Sequence, residues 1–133
     1  MNSRKHIKNE LLERKISAII RTDNQKVAKQ AMQAAVNGGF RVVEFTLTTP
    51  GALNLITQFR ENDDLIVGAG TVMSPTLAHE AVAAGAQFLV APVCNVDVIK
   101  AAEKLNVVSI PGTFTATEME TAHRAGADFV KLF

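Results

Sequence analysis

What most constrains this chain is an alternation. Short runs of β-branched and apolar residues recur along it, and the stretches between them carry apolar residues at helical spacing. The strand candidates are Ile16–Ile20, Arg41–Thr46, Leu65–Gly68, Gln87–Pro92, Val107–Pro111 and Asp128–Phe133. After the first of them, Val27, Ala28, Ala31, Met32, Ala35 and Val36 follow helical period. Strands separated by helices at this spacing are parallel βαβ units, since a parallel neighbour is reached only by a crossover. The runs are short and apolar on both faces, which suits a barrel better than the runner-up, a flavodoxin-like open sheet. The predicted fold is therefore α/β: a (β/α)8 TIM barrel, present over residues 1–133 as a single-domain partial barrel of about six βα units. Strands one to six occupy 16–133, and 1–15 forms an extra N-terminal helix whose Ile7, Leu11 and Leu12 cover one barrel end.

The punctuation agrees with this reading. Thr49-Pro50 and Ser74-Pro75 place a capping hydroxyl before a proline at the first helical position. Thr115 to Glu118 has the spacing of a capping box. Gly38, Gly85 and Gly126 stand where helices are expected to stop in a left-handed residue. A weak repeat runs through VNGGFRVVEF (36–45), VAAGAQFLVA (82–91) and HRAGADFVKL (123–132), each a helix end, a glycine turn and a strand.

Several functions are disfavoured. The net charge is +1 and the charges are interspersed, so no basic stripe invites nucleic acid. No apolar run approaches the roughly 20 residues that cross a bilayer. The charged N-terminus lacks the apolar core of a secretory signal. A lone cysteine, Cys94, cannot pair internally, which predicts a cytoplasmic or other reducing compartment. Cys94 follows a strand end with no histidine nearby and reads as a buried or loop thiol. His6, His79 and His123 fall in helical stretches, and no Cys/His/Asp cluster has ligand spacing, so no metal is expected. Gly68 to Thr71 (GAGT) holds too few glycines for a dinucleotide fingerprint, and no cofactor is predicted.

Barrel chemistry sits at the carboxyl ends of the strands. Those ends carry Arg21, Glu44 with Thr46, Thr71, Pro92, Thr113, and Lys131 with Phe133. Alternation puts Val42, Glu44 and Thr46 on one face and Val43 and Phe45 on the other. Glu44 is then a carboxylate in an apolar strand: either a structural ion pair with Arg21 or Lys131, or a general acid/base with a pKa raised by burial. Lys131 lies among Phe129, Val130, Leu132 and Phe133. It is either a lysine snorkelling from a strand end or a desolvated, nucleophilic amine. Arg21 is a carboxylate clamp or a partner for Glu44 or Asp23. Thr71 follows glycines that either let a ligand approach the backbone or form a tight turn.

Together these residues resemble a known family. Val43-Glu44-Phe45-Thr46-Leu47, Val67 to Val72, Ile110-Pro111-Gly112 and Val130-Lys131-Leu132-Phe133 are similar, in order and spacing, to the 2-keto-3-deoxy-6-phosphogluconate (KDPG) and 4-hydroxy-2-oxoglutarate (KHG) aldolases. The resemblance runs from about Ile16 to the last residue. It implies a metal-free class I aldolase, commonly a trimer, that reversibly cleaves KDPG to pyruvate and glyceraldehyde 3-phosphate. Lys131 matches the family's Schiff-base lysine and Glu44 its proton-shuttling glutamate. Thr71 matches a threonine near the keto-acid carboxylate, and Arg21 an arginine at the end of the first strand.

Three departures stand out. Thr48 replaces an arginine that many bacterial members carry, and joins Pro92 and Phe133 among the residues expected to line the substrate. Ala91-Pro92-Val93 replaces the usual Ser-Pro-Gly and narrows the pocket mouth. The family also continues through two further strands bearing its phosphate-binding glycines. On that reading a six-strand chain leaves its first and sixth strands unpaired at their edges. It would be a poor catalyst on phosphorylated substrates. The competing readings are a non-catalytic truncated remnant, and a phosphosugar isomerase or epimerase barrel using Glu44 as base.

Overall fold

The computed structural model describes residues 3–133. Helix α1 (Arg4–Arg14) opens on Ser3, whose hydroxyl accepts the His6 N–H, and stops at Lys15 with φ of 63°. There follow β1 (Ala18–Ile20), α2 (Gln25–Asn37), β2 (Val42–Thr46), α3 (Ala52–Phe59), β3 (Ile66–Gly70) and α4 (Pro75–Ala83). The second half holds β4 (Phe88–Val90), α5 (Val96–Lys104), β5 (Val108–Ile110), β6 (Gly112–Thr113), α6 (Ala116–Arg124) and β7 (Lys131–Leu132). Strands β1 to β5 form one parallel sheet in chain order, and β6 pairs with β7 in a second, two-stranded one. This is the succession of a (β/α) barrel wall, and the described residues form a partial barrel.

The predicted fifth strand, Val107–Pro111, is β5 and stops before Pro111, which has no N–H to donate to a ladder; β6 follows it and was not predicted. The Pro111 carbonyl still serves, accepting from Lys131 N at 2.8 Å. The sixth strand is shorter than the span 128–133, because both Asp128 N and Phe129 N turn onto the single carbonyl of Ser109 before regular pairing begins.

Alternation along the strands builds two cores. Val43, Phe45, Val67, Ala69 and Leu89 face the helices and pack with Met32, Leu55, Ile56 and Ala102. Val42, Ile66, Phe88, Val90 and Val108 face the barrel interior, where Ile7 of α1 closes one end. Helix α1 covers that end as expected, but through Ile7 and Leu11; Leu12 is 53% exposed because it lies off the contact face. Polar contacts fasten the same helix. Arg4 reaches Asp128 at 2.8 Å and the Gly126 carbonyl, and Asp128 also accepts from Ser109 N at 3.1 Å.

Two local expectations need correction. Thr49 does not cap α3: two tight turns, Thr49 N to Thr46 O and Ala52 N to Thr49 O, delay the helix to Ala52 with Gly51 as its cap. Gly38 ends α2 in right-handed geometry, and the left-handed residue is Gly39, at φ of 107°. Gly85 and Gly126 are left-handed as expected, Ser74 caps α4 before Pro75, and Thr115 with Glu118 forms the capping box of α6. Among the described residues no helix is long and apolar enough to cross a membrane.

Candidate active site

Strand β2 is buried along its whole length. Its inner face runs Val42, Glu44, Thr46, so Glu44 stands one step above the apolar interior floor. The carboxylate residue is 3% exposed, yet it joins none of the ion pairs among the described residues. Burial pushes its pKa above the ordinary carboxylate range. The nearby charges of Lys131 and then Arg21 oppose that rise without cancelling it. The expected ion pair with Arg21 or Lys131 is not formed among the described residues.

Lys131 enters from the other side. Register pairs it with Gly112, and alternation puts it on the interior-facing side with Phe129, which packs against the inner core. Lys131 is half-buried, and its Nζ lies 5.0 Å from the Phe133 ring centroid, a cation–π distance. Phe133 itself is 58% exposed, so it flanks the amine rather than sealing it.

The remaining predicted residues gather at the same strand ends. Arg21 is exposed and donates to Thr71 Oγ1 at 3.3 Å, rather than pairing with Glu44 or Asp23. Thr71 holds φ of 60°, an uncommon conformation for a threonine, and it turns the chain out of β3. Thr48 is exposed and its hydroxyl donates to Thr46 Oγ1 at 3.3 Å. Pro92 follows the end of β4. Its backbone packs against Gly112, where a Cβ would run into the Pro92 carbonyl. Val93 is exposed at the end of the same segment, and Cys94 is a half-buried loop thiol.

The glycines of β3 behave differently from the expectation of open backbone. A Cβ on Gly68 would strike the Phe88 ring, and one on Gly70 would strike Glu44 Oε1. The room they leave is filled by this chain's own side chains. Sequence reasoning also missed a buried hydroxyl pair, Thr46 Oγ1 and Thr49 Oγ1 at 3.3 Å, which takes the Thr22 N–H. Runs of threonine after a strand were the available signal. Among the described residues no group of three or more His, Cys, Asp or Glu is placed to hold a metal ion. A cavity of about 240 Å³ lies elsewhere, on the α1 side of the sheet against Leu11, Ile16, Val42 and Ile110.

Comparison with known proteins bears directly on this arrangement. The profile of a family described as "Aldolase: KDPG and KHG aldolase" matches residues 7–133. A 2-dehydro-3-deoxy-phosphogluconate aldolase of Treponema pallidum is 36% identical over 126 residues, covering 93% of this chain and 60% of that protein. The KHG/KDPG aldolase of Escherichia coli is 38% identical over 102 residues, 76% of this chain and 48% of that one. Among solved structures, the Zymomonas mobilis ZM4 KDPG aldolase with 3-phosphoglycerate superposes with a TM-score of 0.80 at 32% identity, covering 88% of this chain and 56% of that chain. A Legionella pneumophila KDPG aldolase, with pyruvate captured as a covalent carbinolamine, gives 0.79 at 30% identity over 88% of this chain and 57% of that one. This chain thus spans about half the length of the relatives it matches, up to 60%.

Proposed function

The chain belongs to the KDPG and KHG aldolase family, and from that premise we propose that it carries the Schiff-base machinery of a class I aldolase. The substrate is KDPG and the products are pyruvate and glyceraldehyde 3-phosphate. One observation carries the reading: a buried carboxylate outside the ion pairs of the described residues and a half-buried lysine face the same barrel interior.

The chemistry follows from those two groups. The Lys131 side chain adds through its nitrogen lone pair to the C2 ketone and forms a carbinolamine. Glu44, whose carboxyl is made a weaker acid by burial, gives a proton to the departing hydroxyl, and loss of water leaves an iminium ion. The resulting Glu44 carboxylate then takes the proton of the C4 hydroxyl. The C3–C4 bond breaks, its electron pair flows to the iminium nitrogen, and the aldehyde departs from an enamine. Glu44 gives its proton to C3, and water then hydrolyses the iminium to pyruvate and the free amine, the proton released returning to the Glu44 carboxylate. Arg21, Thr71 and Thr48 supply donors for the keto-acid carboxylate at the rim. Pro92 and Phe133 line the mouth. In the same reading the assembly is a homotrimer acting on small metabolites in the cytoplasm.

The test is to trap the imine. Incubation with pyruvate and borohydride followed by peptide mapping should place the adduct on Lys131. An adduct on another lysine would overturn the assignment. Turnover without any adduct would favour an isomerase or epimerase reaction that uses Glu44 as base.

A further inference from the structure

We propose that Gly70 is a positioning residue: the room left by its missing side chain seats the Glu44 carboxylate and fixes where that carboxylate stands in the site. The inference rests on the aldolase reading for its catalytic consequence, but its structural part stands by itself.

Glycine is not required at position 70 for the backbone. The left-handed glycines of the described residues are Gly39, Gly51, Gly85 and Gly126. Gly70 lies in regular β3, in register with Thr46 of β2, while Gly68 pairs with Glu44. An added Cβ at Gly70 would land on Glu44 Oε1 and lie 2.9 Å from its Cδ and 3.3 Å from its Cγ. The constraint is therefore spatial, and it comes from one side chain. Gly68, on the same face, is a natural contrast because its vacancy is taken by the Phe88 ring and not by the carboxylate. Between them, Ala69 faces the outer core and is fully buried.

The geometry gives the carboxylate a direction. From β2 it leans across the bare inner surface of β3, towards the strand end where Thr71 and Arg21 meet. Without the notch it would have to swing back over β2 or out towards solvent. A shift of about 1 Å in a reacting group is enough to reduce a rate on the order of 10²-fold. The charges facing Glu44 are Lys131 and Arg21, and both would feel the move.

The experiment uses Gly70→Ala in the whole chain, beside Glu44→Asp and the double variant. The backbone tolerates alanine and the obstacle is the far end of a flexible side chain, so the variant should fold. Two readouts separate the structural claim from the aldolase reading. The first needs no activity: carbon-13 titration of Glu44 should show its raised pKa falling towards the ordinary carboxylate value in Gly70→Ala. An unmoved titration overturns the proposal. The second is exchange of the pyruvate methyl protons with solvent, which requires imine and base but no aldehyde partner. Gly70→Ala should lower the exchange rate on the order of 10²-fold with little change in pyruvate KM. Adding Glu44→Asp, one methylene shorter, should recover part of that loss although it impairs the parent chain. Additive losses in the double variant would overturn the proposal. A parent chain that shows the titration shift but exchanges no protons would sink the aldolase reading and leave the seat intact.

Discussion

The two halves of the candidate site are held very differently. Glu44 sits inside the five-stranded sheet on its second strand, which has paired neighbours on both sides and helices packed behind it. Lys131 sits on a two-stranded ribbon, where Leu132 is 69% exposed and pairing extends only over Gly112 and Thr113. The sheet presets the acid by burying it. The ribbon presents the amine by a handful of backbone bonds, the Thr113 hydroxyl on the Lys131 carbonyl, and the anchor Asp128. The difference teaches that a carboxylate and an amine facing one interior can be held by unequal numbers of neighbours, and it predicts unequal responses to substitution.

The largest expected effects are chemical. Lys131→Met should abolish the borohydride adduct while changing stability little, since a half-exposed strand-end side chain usually counts for within about 0.5 kcal/mol. Glu44→Gln should lower turnover roughly 10²–10⁴-fold, the usual worth of general acid/base catalysis. It should also leave the fold as stable at neutral pH or more so, because the charge it removes is disfavoured by burial. A marked loss of stability in Glu44→Gln, measured by denaturant unfolding, would mean that the carboxylate is structural.

Packing is next. Phe45 is fully buried on the outer face of β2 and meets Phe59 edge-on, with ring centroids 5.1 Å apart. Truncation to alanine should cost about 3–5 kcal/mol. Leu132→Ala on the ribbon should cost no more than about 0.5 kcal/mol. Comparable values for the two would erase the contrast between sheet and ribbon.

The anchor comes third. Asp128 accepts from Arg4 Nε at 2.9 Å and from Ser109 N at 3.1 Å, and so ties both α1 and β5 to the segment that leads into Lys131. Replacing Asp128 by alanine removes charge-assisted bonds worth about 1.5–3 kcal/mol each when well formed. Amide exchange should quicken at Lys131 and Phe133, whose N–H groups bind Pro111 O and Thr113 O, and stay unchanged in β2. Equal quickening in both places would show that the two regions unfold as one unit.

Much of this was legible in the sequence, for identifiable reasons. All six strand regions and the intervening helices show as changes of hydrophobic period, and Glu44 and Lys131 stand out because charged residues seldom interrupt buried strands. The short β6, Gly112–Thr113, was not foreseen. What could not be read were relations between distant residues. Arg4 and Asp128 meet only because α1 folds back across the barrel end. The glycines of β3 looked like room for a ligand, yet their space belongs to Phe88 and Glu44, side chains from the two flanking strands. The helix entry after β2 was misplaced because Thr49 serves the Thr22 N–H, a long-range partner that local capping rules do not see.

The smallest effect sharpens the comparison by sign. Glu118 closes the capping box of α6, the helix between β6 and β7, and its Oε2 accepts from Phe114 N, Thr115 N and Thr115 Oγ1 at 2.8 to 2.9 Å. These bonds, the one from Phe114 first, hold its pKa below the ordinary carboxylate value. Glu44 is displaced the other way. For Glu118 the folded pKa lies below the unfolded one, so its contribution is complete above the ordinary carboxylate pKa and is lost as the pH falls through the depressed value. For Glu44 the folded pKa lies above the unfolded one. Its ionised form opposes folding, and that opposition grows as the pH rises from the ordinary value through the raised one. Mild acid should therefore relieve the sheet, and stronger acid should loosen the entry to α6. Amide exchange followed down the pH scale should show Phe114 and Thr115 losing protection in the acid range while β2 keeps its own. Glu118→Gln keeps an accepting oxygen but cannot titrate, so this acid-dependent loss should vanish in it. If Phe114 and Thr115 opened at the same pH in that variant as in the parent chain, the capping carboxylate would not be the group that governs this end of the ribbon.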